Sequence, residues 1–265
     1  MAKDISDILS GWDYTPDNVS VRIVPGADGR EKIQIRLDLG LLQMEFDGRP
    51  DGQRIDGHES WLDYYLARQK EHDAAHPDGA GFQLQSEDCA RLLREGMQYY
   101  HRYLSFWHLG RYELCARDTA RNLRLFSFVK ECARHERDRL QFDQWRPYVT
   151  MMHTRAVATP LLELRELGAA LGAIDAGIQA IERFLEEYNQ TQRSSECAEL
   201  QQLKQWRDEI SANQPQLPPP PKSGLEQLRA DLEAAIAEER FEDAARIRDD
   251  IRRHEADLPR EQPRG

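Results

Sequence analysis

Several things are scarce in this chain, and each scarcity narrows the reading. Four cysteines, Cys89, Cys115, Cys132 and Cys197, stand far apart with no CxxC pair among them. That spacing argues for separate buried thiols in a reducing compartment, so a cytoplasmic location is expected. No apolar run approaches the ~20 residues needed to cross a bilayer. The opening stretch, MAKDISDILSGWDY, has neither the apolar core nor the small-residue cleavage site of a signal peptide. No GxxxxGK[ST] loop occurs, so a P-loop phosphate cradle is excluded. Arginine greatly outnumbers lysine but is spread evenly, as a compositional bias of the source would spread it.

What is present is charge. Charged residues make up 31% of the 265 positions and hydrophobic ones 40%, a balance suited to amphipathic, solvent-exposed helices. The net charge of -11 disfavours wholesale attraction to nucleic acid or an anionic membrane.

Periodicity divides the chain. Residues 19 to 46 alternate with period two in three sets: Val19, Val21 and Ile23; Ile33, Ile35, Leu37 and Leu39; Leu42, Met44 and Phe46. PGADGR and DGRPDG supply the turn residues, so residues 1–57 are expected to hold a small antiparallel β-meander. Three strands are marginal alone, so its apolar face should pack on the helices that follow. From 58 to 210 the period becomes helical. Trp61, Leu62, Tyr65 and Leu66 form one stripe, ended by HPDGAG. Leu92, Leu93, Met97, Tyr100, Leu104 and Trp107 form a longer one from Ser86 to about Leu109. HLGRYE breaks it, and a helix follows through Cys115, Leu123 and Phe126 toward Ala133. Two more are expected from Tyr148 to Leu167, with Pro160 as a point of interruption, and from Ala173 to Tyr188, with ALGAID between them. A last helix lies near Glu196 to Ile210.

The hairpins resemble tetratricopeptide-type repeats loosely. GRYELCARDTARNL and GAIDAGIQAIERFL each show a glycine, an apolar or aromatic residue two later, and a small residue three beyond that. The fold class expected is α+β, mainly α: a small N-terminal antiparallel β-meander packed on a helical-hairpin domain, then a tethered C-terminal helical hairpin.

The tether is residues 211–222, with the run Pro218 to Pro221. Consecutive prolines favour a stiff polyproline II spacer, although such a run also suits an aromatic-lined groove. Residues 223–258 then divide into two helices. Ser223 and Glu226 have capping-box spacing. Leu225, Leu228, Leu232, Ala235 and Ile236 line the first helix. Phe241, Ala244, Ala245, Ile247, Arg248 and Ile251 recur on the second. Paired alanines allow close helix approach, and Phe241 can plug the end. So short a hairpin, without disulfide or metal, should be marginal alone and should gain stability by pairing with another hairpin.

LRADLEAAIAEERFEDAARIRDDI resembles the UVR motif, found at the C-terminus of the excision-repair protein UvrB and inside its partner UvrC, with related copies in ClpC-type chaperones and McsA regulators. The shared pattern, [ED]-x-[FY]-E-x-A-A-x-x-R-D-x-[IL], falls on Glu239, Phe241, Glu242, Ala244, Ala245, Arg248, Asp249 and Ile251. The resemblance implies a protein-docking device of bacterial type, whose partner is a UVR-bearing protein of UvrB/UvrC or Clp type, or a second copy of this chain. On that reading Leu228, Leu232, Ile236, Phe241, Ala244, Ala245 and Ile251 form the packing seam. Glu242, Arg248 and Asp249 set selectivity around it. The rest of the chain departs from those hosts: it has no nucleotide loop, no McsA-like zinc pairs and nothing like the nuclease carboxylates of UvrC.

Other candidates compete. His72 and His76 in HDAAH lie at i, i+4, as two zinc ligands should, with Asp73 in the position of a zincin's glutamate. Aspartate is a methylene shorter, Pro77 follows at once, and no third ligand is evident, so a metal-dependent hydrolase is the lesser reading. In YYHRYLSFWHLGRY, His101 and His108 could belong to a groove that stacks bases or holds a peptide, but helical spacing favours an aromatic interface. Arg134, Arg137 and Arg139 interleave with Glu136, Asp138 and Asp143 and read as a solvated face. Arg246, Arg248, Arg252 and Arg253 offer a nucleic-acid contact, opposed by eleven carboxylates on the same hairpin. The expectation is therefore a non-enzymatic adaptor, without cofactor, catalytic residue or membrane association.

Overall fold

Strand β1 (Val21–Pro25) opens the meander, and β2 (Glu31–Leu37) and β3 (Gly40–Glu45) pair with it in the order β1-β2-β3, all antiparallel. The computed structural model describes residues 4–16, 18–79 and 81–212. The register sets Ile23 against Ile33 and Ile33 against Met44, with Val21, Ile35 and Leu42 aligned one step along. Ile33, Ile35 and Met44 are buried in the core that the helices share, so the sheet packs on the helical domain as its apolar alternation requires. Phe46, just past β3, meets Phe106 edge-on at 5.2 Å between ring centres. Gly29, at φ 75°, makes the first turn possible.

The central strand departs from a simple in-and-out pattern, because Lys32 and Gln34 are buried too. Lys32 Nζ donates to Asp28 at 2.8 Å and to Glu45 at 2.6 Å. Gln34 accepts from Arg22 Nε at 2.8 Å and donates to Gln43 at 2.9 Å. Leu39, grouped with the strand set by its spacing, instead sits on the β2–β3 turn and is 92% exposed. A short helix, α1 (Ser6–Leu9), precedes the sheet, and Arg22 covers the Trp12 ring at 3.9 Å.

The helices are α2 (Trp61–Ala75), α3 (Ser86–His108), α4 (Tyr112–Cys132), α5 (Glu136–Asp143), α6 (Arg146–Glu163), α7 (Leu167–Glu187) and α8 (Ala198–Ala212), with a 3-10 segment at Thr191–Glu196. Ser60 caps α2 by accepting from the Asp63 N–H at 3.1 Å. Gln85 and Asp88 form a capping box at the start of α3. Gly110, at φ 66°, turns α3 into α4. α4 packs against α3 on one side and α6 on the other, and α7 closes on α6.

Three expectations need correction. Pro160 lies inside α6 without breaking it, in the last turn. ALGAID is helical: α7 starts at Leu167, and the chain turns instead at Leu164 to Glu166, where Arg165 takes φ 61°. Gly172 has open space around it, and an exposed helical glycine costs only about 1 kcal/mol, too little to end a helix. Gly110 and Gly172 are therefore not equivalent, one ending a helix and the other inside one. The stretch read as a solvated face forms α5. Its arginines stay near the surface while Asp138 and Asp143 are buried. Ser86 donates to Asp138 at 2.6 Å; Arg146 and the Tyr188 hydroxyl donate to Asp143 at 2.8 and 2.5 Å.

The small positions of the repeat-like strings do sit at interfaces. Cys115 and Gly177 are buried in α4 and α7. All four cysteines are free thiols; three are buried and Cys197 is half-buried. Burial pushes Cys89 and Cys115 up to about 12 and Cys132 up to about 11, so these thiols stay protonated and unreactive. Among the described residues no helix is long and apolar enough to cross a membrane.

Candidate functional site

The docking residues expected from the sequence, Leu228, Leu232, Ile236, Phe241, Glu242, Ala244, Ala245, Arg248, Asp249 and Ile251, lie outside the described residues. So does the proline run. The geometry available is that of the sheet and the helices α1 to α8.

His72 and His76 do fall on one face, with ring centres 4.6 Å apart and the rings stacked. His76 Nδ1 is 3.0 Å from the His72 carbonyl oxygen, and His72 Nδ1 is 3.3 Å from the Asp73 carboxylate. One nitrogen of each ring is thus engaged locally, at the end of α2. Among the described residues, no group of three or more His, Cys, Asp or Glu side chains is placed to hold a metal ion.

The aromatic stretch of α3 is mostly interface. Tyr99, Tyr103 and Phe106 are buried, while Trp107 packs edge-on to Tyr112 at 5.2 Å and beneath Arg155. His101 is half-buried, and desolvation lowers its pKa below the ordinary histidine value; His108 is exposed.

One edge of this stretch opens into a cavity of ≈ 170 Å³ between α3, α4, α5 and α6. Leu93, Met97, Tyr100 and Tyr103 come from α3, Asn122 and Phe126 from α4, Phe142 from α5, and Tyr148 and Val149 from α6, with Trp145 at the turn between α5 and α6. Met97 and Trp145 remain 43% and 50% exposed at its edge. None of these side chains is charged at neutral pH. Local sequence does not mark this assembly, because Phe142, Trp145 and Tyr148 lie far from α3 along the chain. The helical stripe of α3 was the only signal.

A second feature is polar. Arg102 and Asp118 form a buried two-bond ion pair, at 2.6 Å from Nε and 3.0 Å from Nη2. Arg102 also donates to the Gly48 carbonyl at 2.8 Å, so it fastens the loop after β3 to both α3 and α4. Glu95, fully buried, accepts from the backbone N–H of Trp61 at 2.7 Å and of Leu62 at 3.2 Å, a carboxylate placed at the positive end of α2. Arg121 pairs with the same carboxylate, and Arg49 Nε stands 3.1 Å from it with its N–H too far off line for a hydrogen bond. A cleft of ≈ 560 Å³ above this cluster is lined by Tyr99, Arg117, Arg121, Arg124, Glu59 and Asp63, among others. The guanidinium groups of Arg102, Arg117 and Arg121 are already matched by Asp118, Asp47 and Glu95. The arrangement is a clamp joining the sheet to three helices. Sequence reasoning passed over it, although Glu95 and Arg102 share the buried face of α3 with Leu92 and Tyr99, seven residues apart in each case.

A family model described as the UvrB/uvrC motif matches residues 222–257. No curated protein and no solved structure matches the chain. The matched segment is thus similar to an interaction module, and the match coincides with the resemblance read from FEDAARIRDDI.

Proposed function

We propose that this chain is a non-enzymatic adaptor that docks a partner protein through its C-terminal hairpin. The observation that carries the proposal is the match of residues 222–257 to the UvrB/uvrC motif. Motifs of this kind pair with other copies of themselves, so the partner is a UVR-bearing protein of UvrB/UvrC type, or a second copy of this chain. Phe241, Ala244, Ala245 and Ile251 with Leu228, Leu232 and Ile236 supply the seam. Glu242, Arg248 and Asp249 select the partner at its rim, where charge acts on specificity more than on affinity. The cysteines, all free thiols, suit a cytoplasmic setting. Regulation of Clp-type proteolysis is the second reading, because related hairpins occur in ClpC-type chaperones.

A pull-down with the full chain and with a chain lacking residues 223–265 tests the proposal. UvrB- or UvrC-like proteins in the eluate place the adaptor in excision repair, and Clp components place it in proteolysis. Either should vanish on deletion. If deletion removes no partner and no self-association, the docking role is wrong.

A further inference from the structure

The cavity between α3, α4, α5 and α6 has the size and chemistry of a ligand site that the hairpin does not account for. Cavities of about 150 Å³ with aliphatic and aromatic linings stay dry and take up a benzene-sized guest. At ≈ 170 Å³, this one holds a single ring or its branched aliphatic equivalent. No lining side chain is charged, so a charged group inside would be desolvated without a partner.

Its polar groups set the orientation. Asn122 is spent: its amide donates to the Gly96 carbonyl at 3.0 Å and its oxygen accepts from Arg121 at 3.1 Å. Tyr103 is different. It is 1% exposed and lines the cavity, yet its hydroxyl makes no hydrogen bond among the described residues. Burial raises its pKa well above the ordinary phenol value, so it remains a donor. Tyr100 lies edge-on to Tyr103 at 5.5 Å between ring centres, and Tyr148 is 6.4 Å from Tyr100. Three phenols thus gather at one place in an otherwise apolar space. The Tyr103 hydroxyl, reachable from the cavity, is free to donate to an acceptor on a guest.

We infer that this cavity binds an uncharged, ring-sized apolar small molecule bearing one hydrogen-bond acceptor, with the acceptor on the Tyr103 hydroxyl and the ring between Phe126, Phe142 and Trp145. Acetophenone carries such a ring and acceptor, and ethylbenzene is its near-isostere without the acceptor. Calorimetric titration of the full chain should show acetophenone binding about tenfold more tightly than ethylbenzene. Tyr103→Phe removes only the hydroxyl and keeps the ring; it should abolish the tenfold preference while leaving ethylbenzene binding intact. Leu93→Trp, at a half-buried position on the rim, should weaken both guests, with circular dichroism confirming that each variant is folded. Absence of binding by the wild-type chain at millimolar probe overturns the inference. So does a preference for acetophenone that survives Tyr103→Phe, or guests that bind the Leu93→Trp chain as well as the wild type. Loss of the hairpin's partners on deletion of residues 223–265 has no bearing on these outcomes, so the two proposals fail separately.

Discussion

Gly177 on α7 faces Thr154 on α6 so closely that a Cβ at position 177 would stand 2.8 Å from Thr154 Cγ2 and 2.9 Å from its Cβ, nearer still to the hydroxyl oxygen. The threonine is itself held, donating to the Thr150 carbonyl at 2.8 Å, so it cannot swing away without losing that bond. Gly177→Ala should therefore overpack the α6–α7 interface and destabilise the domain by about 1–3 kcal/mol. Urea denaturation reads this out. Adding Thr154→Ala should restore only part of the loss, because the Cβ of residue 154 remains.

The buried pair Arg102 and Asp118 makes the largest single prediction. Removing the carboxylate, as in Asp118→Asn, leaves Arg102 buried and uncompensated, at a cost of about 3–5 kcal/mol. Arg102→Met should cost less, because Asp118 keeps Arg117 Nε at 3.0 Å. Replacing both, Arg102→Met with Asp118→Asn, should cost less than the sum of the two single changes. Equilibrium unfolding of the three variants gives the coupling. Strict additivity would mean that the pair does not act as a unit.

Acid should weaken the fold through its histidines. Burial lowers the pKa of His101 and His153 below the ordinary value of 6.5. His153 is also tied through Nδ1, 3.0 Å from the Thr119 hydroxyl and 3.2 Å from the Ala116 carbonyl. The folded state then takes up a proton less readily than the unfolded one. The sign follows: stability is full above about pH 6.5 and falls as the pH drops through that value toward the lowered folded one. Urea midpoints at pH 7.5 and 5.5 should show the decline, and His153→Gln should flatten it.

Thiol reactivity should be uneven. Burial raises the pKa of all four thiols, but Cys89, Cys115 and Cys132 are closed off from solvent, whereas Cys197 is half-buried at the start of α8. An aromatic disulfide reagent should modify about one thiol per native chain at pH 8 and four after denaturation. Cys197→Ser should abolish the fast native phase.

On the docking reading, Ala245→Leu places a branched side chain in the helix seam and should weaken partner capture by about tenfold. Arg246→Ala, outside the shared motif pattern, should change it little. Equal effects of the two would deny Ala245 a place in the seam.

Where local signals stood alone, the sequence was readable. The turn residues of PGADGR set the β1–β2 hairpin, and Gln85 with Asp88 marks the start of α3 within one residue of the expectation. Gly110 ends the α3 segment for a local reason, since only a positive φ makes that turn. Where two signals conflicted, the tertiary structure chose. Gly172 and Pro160 both read as breaks, yet packing of α6 against α7 carries both helices through, because buried apolar contact along eighteen and twenty-one residues outweighs one unfavourable position. α5 was missed for the opposite reason. Its eight residues are mostly charged, and Asp138 and Asp143 turn inward because Ser86 and Tyr188, distant in sequence, and Arg146, three residues beyond Asp143, donate to them.

By itself, then, the amino-acid order determined the elements whose periods and caps are local: the meander and the long α3–α4 hairpin. Only the tertiary structure decided which polar groups went inside. Glu95 and Arg102 share a helix face with Leu92 and Tyr99, but that spacing alone puts no charge inside, since a buried charge is permitted only when its partner arrives from another helix. The cavity beside Tyr103 has the same origin. Its walls come from four helices, and the space among them exists only once those helices are packed.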